Sequence, residues 1–325
     1  MLIKGQSTFL ELFEPADAAY VHTWMHEIEL RRLAWMECPL PIDLAGAERW
    51  IREMNQDPRS RLLSVRRLED NGPIGLMSLR NLSWVSRSVR SGIMIWPADL
   101  WNKGFGTDAR RAFLEYAFKQ LNLRRVYGRY AAYNQASRRS HEKLGGETTV
   151  TARDAVFVDG RFHDVHYYVY KRENYPGLEP AKSEPEPVSP PADQFATVYR
   201  VYEDYYGLPR GEGEACDLWR RDKISRPMPD GEYVFSLHEI PQSADLLLLP
   251  ANGDRCEPGL LDEAIATGFT DLNLHRIQAC LPASAVSWLE TFKSRGFCDE
   301  GRLDGVIFAA GRYLDLVFLG LLSSS

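Results

Sequence analysis

The sequence predicts two domains, each of mixed α+β class, and three observations support that prediction. A length of 325 residues suits two domains. Residues 176–191 hold six prolines in sixteen positions, a pattern typical of a semi-rigid linker. Before this segment, strand-like and helix-like patterns alternate, with hairpin signals near both ends. We therefore expect an N-terminal domain over 1–175, a linker over 176–194 and a C-terminal domain over 195–325.

Each N-terminal element follows from a local pattern. Alternation of apolar and polar residues indicates strands, apolar positions at helical spacing indicate helices, and Asp-Asn-Gly or Asp-Gly indicates a tight turn. Asp43 has the residue type and position of a helix N-cap. In chain order we predict a strand over 8–14, a helical segment over 16–34, a helix from Asp43 to about Asn55, a hairpin over 60–68 and 74–80, a strand over 91–96, a helix from about Gly104 to Leu121, a strand over 125–133, a helix over 135–144 and a hairpin around Asp159-Gly160.

Composition and charge exclude several classes of protein. Hydrophobic residues make up 44% and charged residues 26%, which is ordinary for a globular chain and unlike a collagenous or disordered one. No apolar run reaches membrane-spanning length and no signal peptide is visible, so we expect a cytoplasmic protein without a membrane partner. Five scattered cysteines without a C-x-x-C pair predict reduced thiols and no metal site. The net charge of −6 divides into +5 for residues 1–175 and −11 for the remainder.

One segment has the pattern of a phosphate site. A short apolar strand (Ile93 to Trp96) leads through a loop to Trp101-Asn-Lys-Gly-Phe-Gly-Thr107, where a helix is predicted to begin. The first amides of a helix lack partners and carry the positive end of its dipole, so they attract a pyrophosphate. The P-loop pattern is absent. A dinucleotide fingerprint is matched formally, but seven residues separate strand from glycine and no acidic residue occurs from Tyr116 to His141.

Further along the chain, the Asn-Leu-Arg-Arg-Val strand and the run Asn134-Gln-Ala-Ser-Arg-Arg-Ser-His141-Glu-Lys-Leu-Gly145 complete an ordered set of motifs. The set, over residues 8–172, resembles the GNAT superfamily of acyl-CoA-dependent N-acyltransferases, in the branch with ribosomal-protein and spermidine acetyltransferases. The resemblance implies the GNAT fold, a central, mostly antiparallel twisted sheet flanked by helices. Two positions depart from the family pattern, because Trp101 stands at the first position of the phosphate motif and Gly146 replaces a common Phe.

The resemblance also implies an acetyl transfer from acetyl-CoA to a primary amine, by direct attack on the thioester and without a metal. The expected acceptor is a protein N-terminus, a polyamine or an amino-bearing small molecule. His141 takes the place of the residue that protonates the departing thiolate, and a carboxylate, Glu27, Glu29 or Glu37, is expected to accept the proton of the amine. The residues implied to hold the coenzyme are Ile93, Ile95, Asn102, Lys103, Gly104, Phe105, Gly106, Thr107 and Asn134.

Other interpretations of these residues are weaker. His22 and His26 have the spacing of zinc ligands, but no third ligand is apparent. The arginine pairs lie on separate elements without a basic run, so no nucleic-acid partner is expected. Self-association into a homodimer stays open. The alternative to an enzyme is a catalytically inactive CoA-binding sensor or scaffold.

An internal repeat extends the prediction to the C-terminal half. At a shift of 151, residues 121–170 match 272–321 without a gap, with ten identities in fifty positions. The sequence therefore predicts tandem copies of one fold. The second copy has lost the chemistry-bearing residues, since Gly104, Gly106, Asn134 and His141 correspond to Arg255, Glu257, Ala285 and Phe292.

Overall fold

The computed structural model describes residues 2–34, 41–176, 178, 198, 223–237, 242–250, 256–309 and 312–323. These residues form two compact units. The first holds the described residues of 2–148 and 167–178, and the second holds those of 149–166, 198 and 223–323. The limits 1–175, 176–194 and 195–325 stay a prediction, because most of the segment predicted as a linker lies outside the described residues.

The first unit is built on a sheet in the order β1-β2-β3-β4-β5-β6-β8. Strands β1 to β5 pair antiparallel, whereas β5 and β6 pair parallel. Strand β8 also pairs with β7 in the hairpin predicted around Asp159-Gly160, and residues 149–166 of this hairpin are counted with the second unit. The strands are β1 (Ile3–Lys4), β2 (Thr8–Leu12), β3 (Arg61–Arg67), β4 (Pro73–Ser83), β5 (Ser88–Ile95), β6 (Arg125–Ala131), β7 (Glu147–Val158) and β8 (Arg161–Lys171).

Helices cover this sheet, as the apolar patterns predict. Helix α3 begins after Asp43, whose Oδ1 accepts the Gly46 N–H at 2.7 Å, so the predicted N-cap is confirmed. The helical segment predicted over 16–34 forms two helices, because the His26 N–H bonds Thr23 O and closes the first of them. The helices are α1 (Ala18–Met25), α2 (Ile28–Ala34), α3 (Leu44–Gln56), α4 (Phe105–Lys119) and α5 (Gln135–Lys143).

Two apolar clusters hold the first unit together. One joins α1 and α3 to the sheet and contains Trp24 and Trp50. The other joins α4 to the sheet and contains Phe113 and Phe118, both almost fully buried. Burial of side chains of this size contributes about 1.5–3 kcal/mol each. The apolar face of α4 is therefore fixed on the sheet, which leaves the N-terminus of α4 at a defined place.

The last part of the second unit repeats the order of elements found over residues 125–171, which is strand, helix, strand and strand. Shifting the bounds of β6, α5, β7 and β8 by 151 gives the bounds of β12, α7, β13 and β14 without any difference. No helix of the described residues is both long and apolar enough to cross a membrane. The elements of this unit are β9 (Lys223–Met228), β10 (Gly231–Leu237), β11 (Ser243–Pro250), α6 (Pro258–Ala266), β12 (Arg276–Pro282), α7 (Val286–Ser294), β13 (Cys298–Ala309) and β14 (Arg312–Leu322).

A buried ion pair lies inside the second unit. The guanidinium of Arg276 pairs with the carboxylate of Glu300, and both side chains are almost fully buried. Arg276 Nη1 also donates to the Arg153 carbonyl at 2.7 Å, and the Arg153 N–H donates to Glu300 Oε1 at 3.0 Å. The pair thus satisfies the main-chain N–H and carbonyl groups of Arg153, one of the β7 residues that belong to this unit.

Candidate active site

The site begins where β5 and β6 separate. Their parallel pairing covers three residue pairs, from Ser88↔Arg125 to Arg90↔Tyr127. Beyond these pairs, residues 91–95 of β5 and 128–131 of β6 are not paired with each other. The unpaired edge of β5 therefore offers backbone donors and acceptors to a ligand.

The directions of the N–H and C=O groups along β5 determine which of its residues can form hydrogen bonds with a ligand. The Trp96 N–H donates to Ile74 O of β4 at 2.8 Å. Because hydrogen-bonded and free positions alternate along an antiparallel strand, Ile93 and Ile95 direct their main-chain groups away from β4 and toward the open side. The Ile95 carbonyl already accepts Trp101 Nε1 at 2.6 Å. The free groups are therefore those of Ile93 and the N–H of Ile95.

The start of α4 has the geometry of an anion site. Gly104 is its N-cap with φ of 92°, a left-handed conformation that favours glycine, and it brings no capping side chain. A Cβ at Gly104 would meet no atom within 4 Å, so the space before the helix is open. The first-turn amides of Phe105, Gly106 and Thr107 therefore remain available to a ligand.

Close packing sets the position of this helix start. A Cβ on Gly106 would lie 3.3 Å from Ile95 Cγ1, so the helix approaches β5 closely at this residue. The Thr107 hydroxyl lies 3.1 Å from the Ser140 hydroxyl of α5. Asn102, with φ of 59°, and Lys103 are exposed in the preceding loop. The predicted coenzyme residues from Asn102 to Thr107 thus form one continuous turn and helix start.

Asn134 has partners within the fold. Its Oδ1 accepts the Ser137 N–H at 3.0 Å and caps α5, while its Nδ2 donates to Leu33 O of α2 at 3.2 Å. The Tyr133 hydroxyl donates to the next carbonyl of α2, that of Arg32. These bonds satisfy two carbonyl groups in the last turn of α2, and Asn134 retains one amide hydrogen for a ligand.

His141 is buried in a cluster of rings. The exposed fraction of the residue is 2%, its ring lies 3.5 Å from that of Tyr168 between centroids, and Tyr130 stacks on it at 5.4 Å. Its Nδ1 is 2.7 Å from the Tyr170 hydroxyl. Burial lowers the pKa of His141 well below its ordinary value, and the positive charge of Arg110 lowers it further. The neutral imidazole is therefore the favoured form at neutral pH.

The three candidate carboxylates differ in position. Glu27 is half-buried at the entrance to α2, a helix that packs against β5 and β6, whereas Glu29 is exposed. Glu37 lies outside the described residues. His22 of α1 and His26, which caps that helix, form a local contact, since His26 Nδ1 is 2.6 Å from the His22 carbonyl oxygen. In the part of the chain that the structure describes, no three His, Cys, Asp or Glu side chains are grouped to hold a metal ion.

Sequence patterns did not single out the groups that surround His141. Arg110, Tyr130, Tyr168 and Tyr170 are all at most 3% exposed. Two signals were available. Arg110 precedes Phe113 and Leu114 by three and four residues and so shares their buried face, and alternate tyrosines of β8 point to one side of the sheet.

Comparisons with known proteins bear on the first unit. Residues 8–147 match the family model described as "Acetyltransferase (GNAT) domain". A Bacillus subtilis (strain 168) protein named "Putative ribosomal N-acetyltransferase YdaF" is 38% identical over 107 residues, which is 33% of this chain and 58% of that protein. A Vibrio cholerae "Spermidine N(1)-acetyltransferase" is 30% identical over 92 residues, 28% of this chain and 53% of that protein. The chain thus spans somewhat more than half the length of these curated relatives.

A solved structure shows the extent of similarity in space. The Vibrio cholerae spermidine N-acetyltransferase in complex with CoA and spermine is 24% identical, with a TM-score of 0.48 over 52% of this chain and 98% of that chain. The family model covers the β5 edge, the start of α4 and the capped α5 described above. Residues 8–147 are accordingly an acetyltransferase domain of the GNAT family.

Proposed function

We propose that the first unit transfers an acetyl group from acetyl-CoA to a primary amine by direct attack on the thioester. The observation that carries the proposal is the juxtaposition of two unsatisfied backbone surfaces, the open edge of β5 and the glycine-initiated start of α4. An extended pantetheine arm matches the first surface and a pyrophosphate matches the second. The family match of residues 8–147 supports the same chemistry.

Roles follow from these positions. Ile93 and Ile95 would pair with the pantetheine amides, and the backbone from Asn102 to Thr107 would hold the pyrophosphate. The remaining amide hydrogen of Asn134 would donate to the pantetheine. A free N–H on β5, such as that of Ile93, would stabilise the oxyanion that develops on the thioester carbonyl. His141 stays the proposed source of the proton for the departing thiolate.

The acceptor is a primary amine with its general base among Glu27, Glu29 and Glu37. Glu27 is favoured of the two described carboxylates, because it is half-buried beside a helix that packs on β5 and β6. Names of the curated relatives refer to ribosomal and spermidine acetylation. A protein N-terminus, a polyamine and a small aminated molecule are therefore the acceptor classes to test.

For the second unit we propose a degenerate copy of the same fold. The exact shift of four element bounds supports this, and so do the paired turns at Asn122 and Asn273, with φ of 53° and 50°. Its helix α6 begins only after Glu257, whose carboxylate would repel a phosphate. Its counterparts of Asn134 and His141 are Ala285 and Phe292, both buried and apolar. Arg255 lies outside the described residues.

The test combines binding and turnover. Calorimetry with acetyl-CoA should show saturable binding to the purified chain, and a thiol-release assay should show turnover with at least one amine of a panel of peptides, polyamines and small amines. Binding without thiol release against the whole panel would favour the alternative function, a CoA-binding sensor or scaffold. The alternative function is tested because the low pKa of His141 disfavours the protonated imidazole that an ordinary general acid would need. Absence of binding by folded protein would refute both functions.

A further inference from the structure

A buried polar cluster lies beside the proposed thioester site. Arg110 of α4, Tyr168 and Tyr170 of β8 and His141 of α5 are each at most 3% exposed. No described carboxylate forms an ion pair with Arg110, although burial of an unpaired guanidinium is costly. The phenol rings are the groups that face it.

Hydrogen-bond directions in this cluster are determined by the groups that can only donate or only accept. Arg110 Nη1 donates to the Tyr168 hydroxyl at 3.1 Å, and that hydroxyl donates to the Ser91 carbonyl of β5 at 2.8 Å. A Cβ on Gly128 would collide with both oxygens of this second bond, so glycine is required there. The chain from α4 through β8 thus reaches the edge of β5.

The same logic assigns the tautomer of His141. Arg110 also interacts with the Tyr170 hydroxyl, toward which a guanidinium can only donate. Among the described residues, the one group placed to accept the proton of that hydroxyl is His141 Nδ1, 2.7 Å away, so the hydroxyl donates to it. Nδ1 is therefore the acceptor, and the neutral imidazole carries its proton on Nε2. No described residue forms a hydrogen bond with Nε2.

We propose that Tyr170 and Arg110 act with His141 as a proton relay, in which Tyr170 replaces the proton that His141 gives to the departing thiolate. The inference rests on the proposed function. In this relay His141 does not act as an imidazolium acid, because the imidazole is neutral before and after the transfer and only its tautomer changes.

The step balances as follows. The Nε2–H bond of His141 breaks as an S–H bond forms on the thiolate, and an Nδ1–H bond forms as the O–H bond of Tyr170 breaks. The resulting tyrosinate is paired with the guanidinium of Arg110, whose positive charge lowers the pKa of Tyr170 against the larger effect of burial, which raises it. After the thiol has left, the proton released by the attacking amine reaches Nε2 of His141 through solvent, and the proton on Nδ1 returns to the Tyr170 oxygen, which restores both groups.

Other charged groups do not change this assignment. From α4 the group that faces His141 is Arg110, from β6 it is the Tyr130 ring, and from β8 the rings of Tyr168 and Tyr170 face it. Arg110 is the one permanent charge of this set, and it opposes protonation of the imidazole while it favours ionisation of the phenol. Both effects of Arg110 favour the relay, which needs a neutral imidazole and a phenol that can release its proton.

The first test does not depend on activity. Nitrogen NMR of histidine-labelled protein, with His141 assigned through His141→Gln, should show a neutral imidazole at pH 7 that is protonated on Nε2 and titrates well below pH 6.5. A proton on Nδ1, or an ordinary titration, would overturn the relay. This measurement remains decisive if the wild-type protein releases no thiol, in which case the proposed function fails by itself.

The second test uses paired variants. Tyr170→Phe should lower kcat roughly 10²–10⁴-fold, since it removes the group that supplies the proton to His141, and should leave the affinity for acetyl-CoA unchanged. Tyr175→Phe makes the same change outside the cluster and should have no effect. Arg110→Lys, which keeps the charge, should retain more activity than Arg110→Met, with Arg111→Met as control. An undiminished kcat for Tyr170→Phe would refute the relay, and that variant decides if Arg110→Met does not fold.

Discussion

Asp108 anchors the N-terminal strand to the coenzyme helix, and its replacement by asparagine tests this account of the first unit. One carboxylate accepts five hydrogen bonds from the turn that leads into β2. Its Oδ1 accepts the Gln6 N–H at 3.0 Å, and its Oδ2 accepts the N–H and hydroxyl groups of Ser7 and Thr8 at 2.8–3.1 Å. Asp108 follows Thr107 directly, so it holds the first turn of α4 in place.

The loss of stability expected for Asp108→Asn follows from these hydrogen bonds. Asparagine fits best with its oxygen at the Oδ2 position, and its NH2 group then faces the Gln6 N–H. One backbone donor is left unpaired, at a cost of about 1–3 kcal/mol, and the other bonds lose the strength that a charged acceptor gives. We expect a loss of about 2–4 kcal/mol, or roughly 5–15 °C in the melting temperature of this unit.

The dependence on pH distinguishes charge from packing. Burial raises the pKa of Asp108, but the hydrogen bonds from Gln6, Ser7 and Thr8 outweigh it, so the pKa lies below its ordinary value. A lowered folded-state pKa contributes stability that is fully present well above pH 3.8 and is lost as the pH falls through the folded-state value. The difference between wild type and Asp108→Asn should therefore narrow below about pH 4.

Scanning calorimetry at pH 7 and at pH 3 measures both effects. The exposed Asp99, changed to Asn, serves as the matched control and should melt like wild type. The reasoning is refuted if Asp108→Asn melts within about 1 °C of wild type at pH 7, because the expected loss is several times larger. A loss of equal size at pH 3 would instead show that shape, and not charge, holds the turn.

Three further perturbations test separate parts of the molecule. Gly104→Ala strains a left-handed residue by about 1–2 kcal/mol without a collision, so acetyl-CoA affinity measured by calorimetry should fall several-fold, whereas Gly259→Ala should leave it unchanged. Because the pKa of His141 is depressed, the free energy of unfolding of the wild type, measured by urea titration, should decline below about pH 6.5 by up to about 1.4 kcal/mol per pH unit. An equally steep decline for His141→Gln would contradict the burial of the imidazole. Arg276→Met should cost about 3–5 kcal/mol by leaving Glu300 buried alone, and a second change, Glu300→Leu, should recover much of it; no recovery would mean that the pair is not the source of the loss.

Local signals in the sequence were sufficient for most elements of the first unit. The Asp43 cap, the glycine-initiated α4 and the turn at Asp159-Gly160 are each specified by residues within a few positions of one another. The break between α1 and α2 escaped the pattern, because apolar residues have helical spacing on both sides of it, as at Val21 and Trp24 before the break and at Leu30 and Leu33 after it.

The candidate site was predictable only in part, because sequence patterns reveal features that depend on residues close together in the chain and miss those that depend on distant ones. Backbone sites such as the start of α4 depend on contiguous residues and can be recognised from a motif. The environment of His141 depends on residues from α4, β6 and β8 that are 11 to 31 positions away, while its own helix is otherwise polar. Sequence spacing therefore located His141 but did not indicate that it is buried, neutral and bonded to Tyr170.

The central claim is that the first turn of α4 binds the phosphates of acetyl-CoA, and a calorimetric titration of three proteins tests it most directly. Gly106→Glu places a carboxylate where the phosphates would lie, as Glu257 does in the second unit, and Gly106→Ala controls for the contact of a Cβ with Ile95. We expect wild type and Gly106→Ala to bind acetyl-CoA and Gly106→Glu to lose binding while it remains folded. Equal binding by all three proteins would contradict the claim.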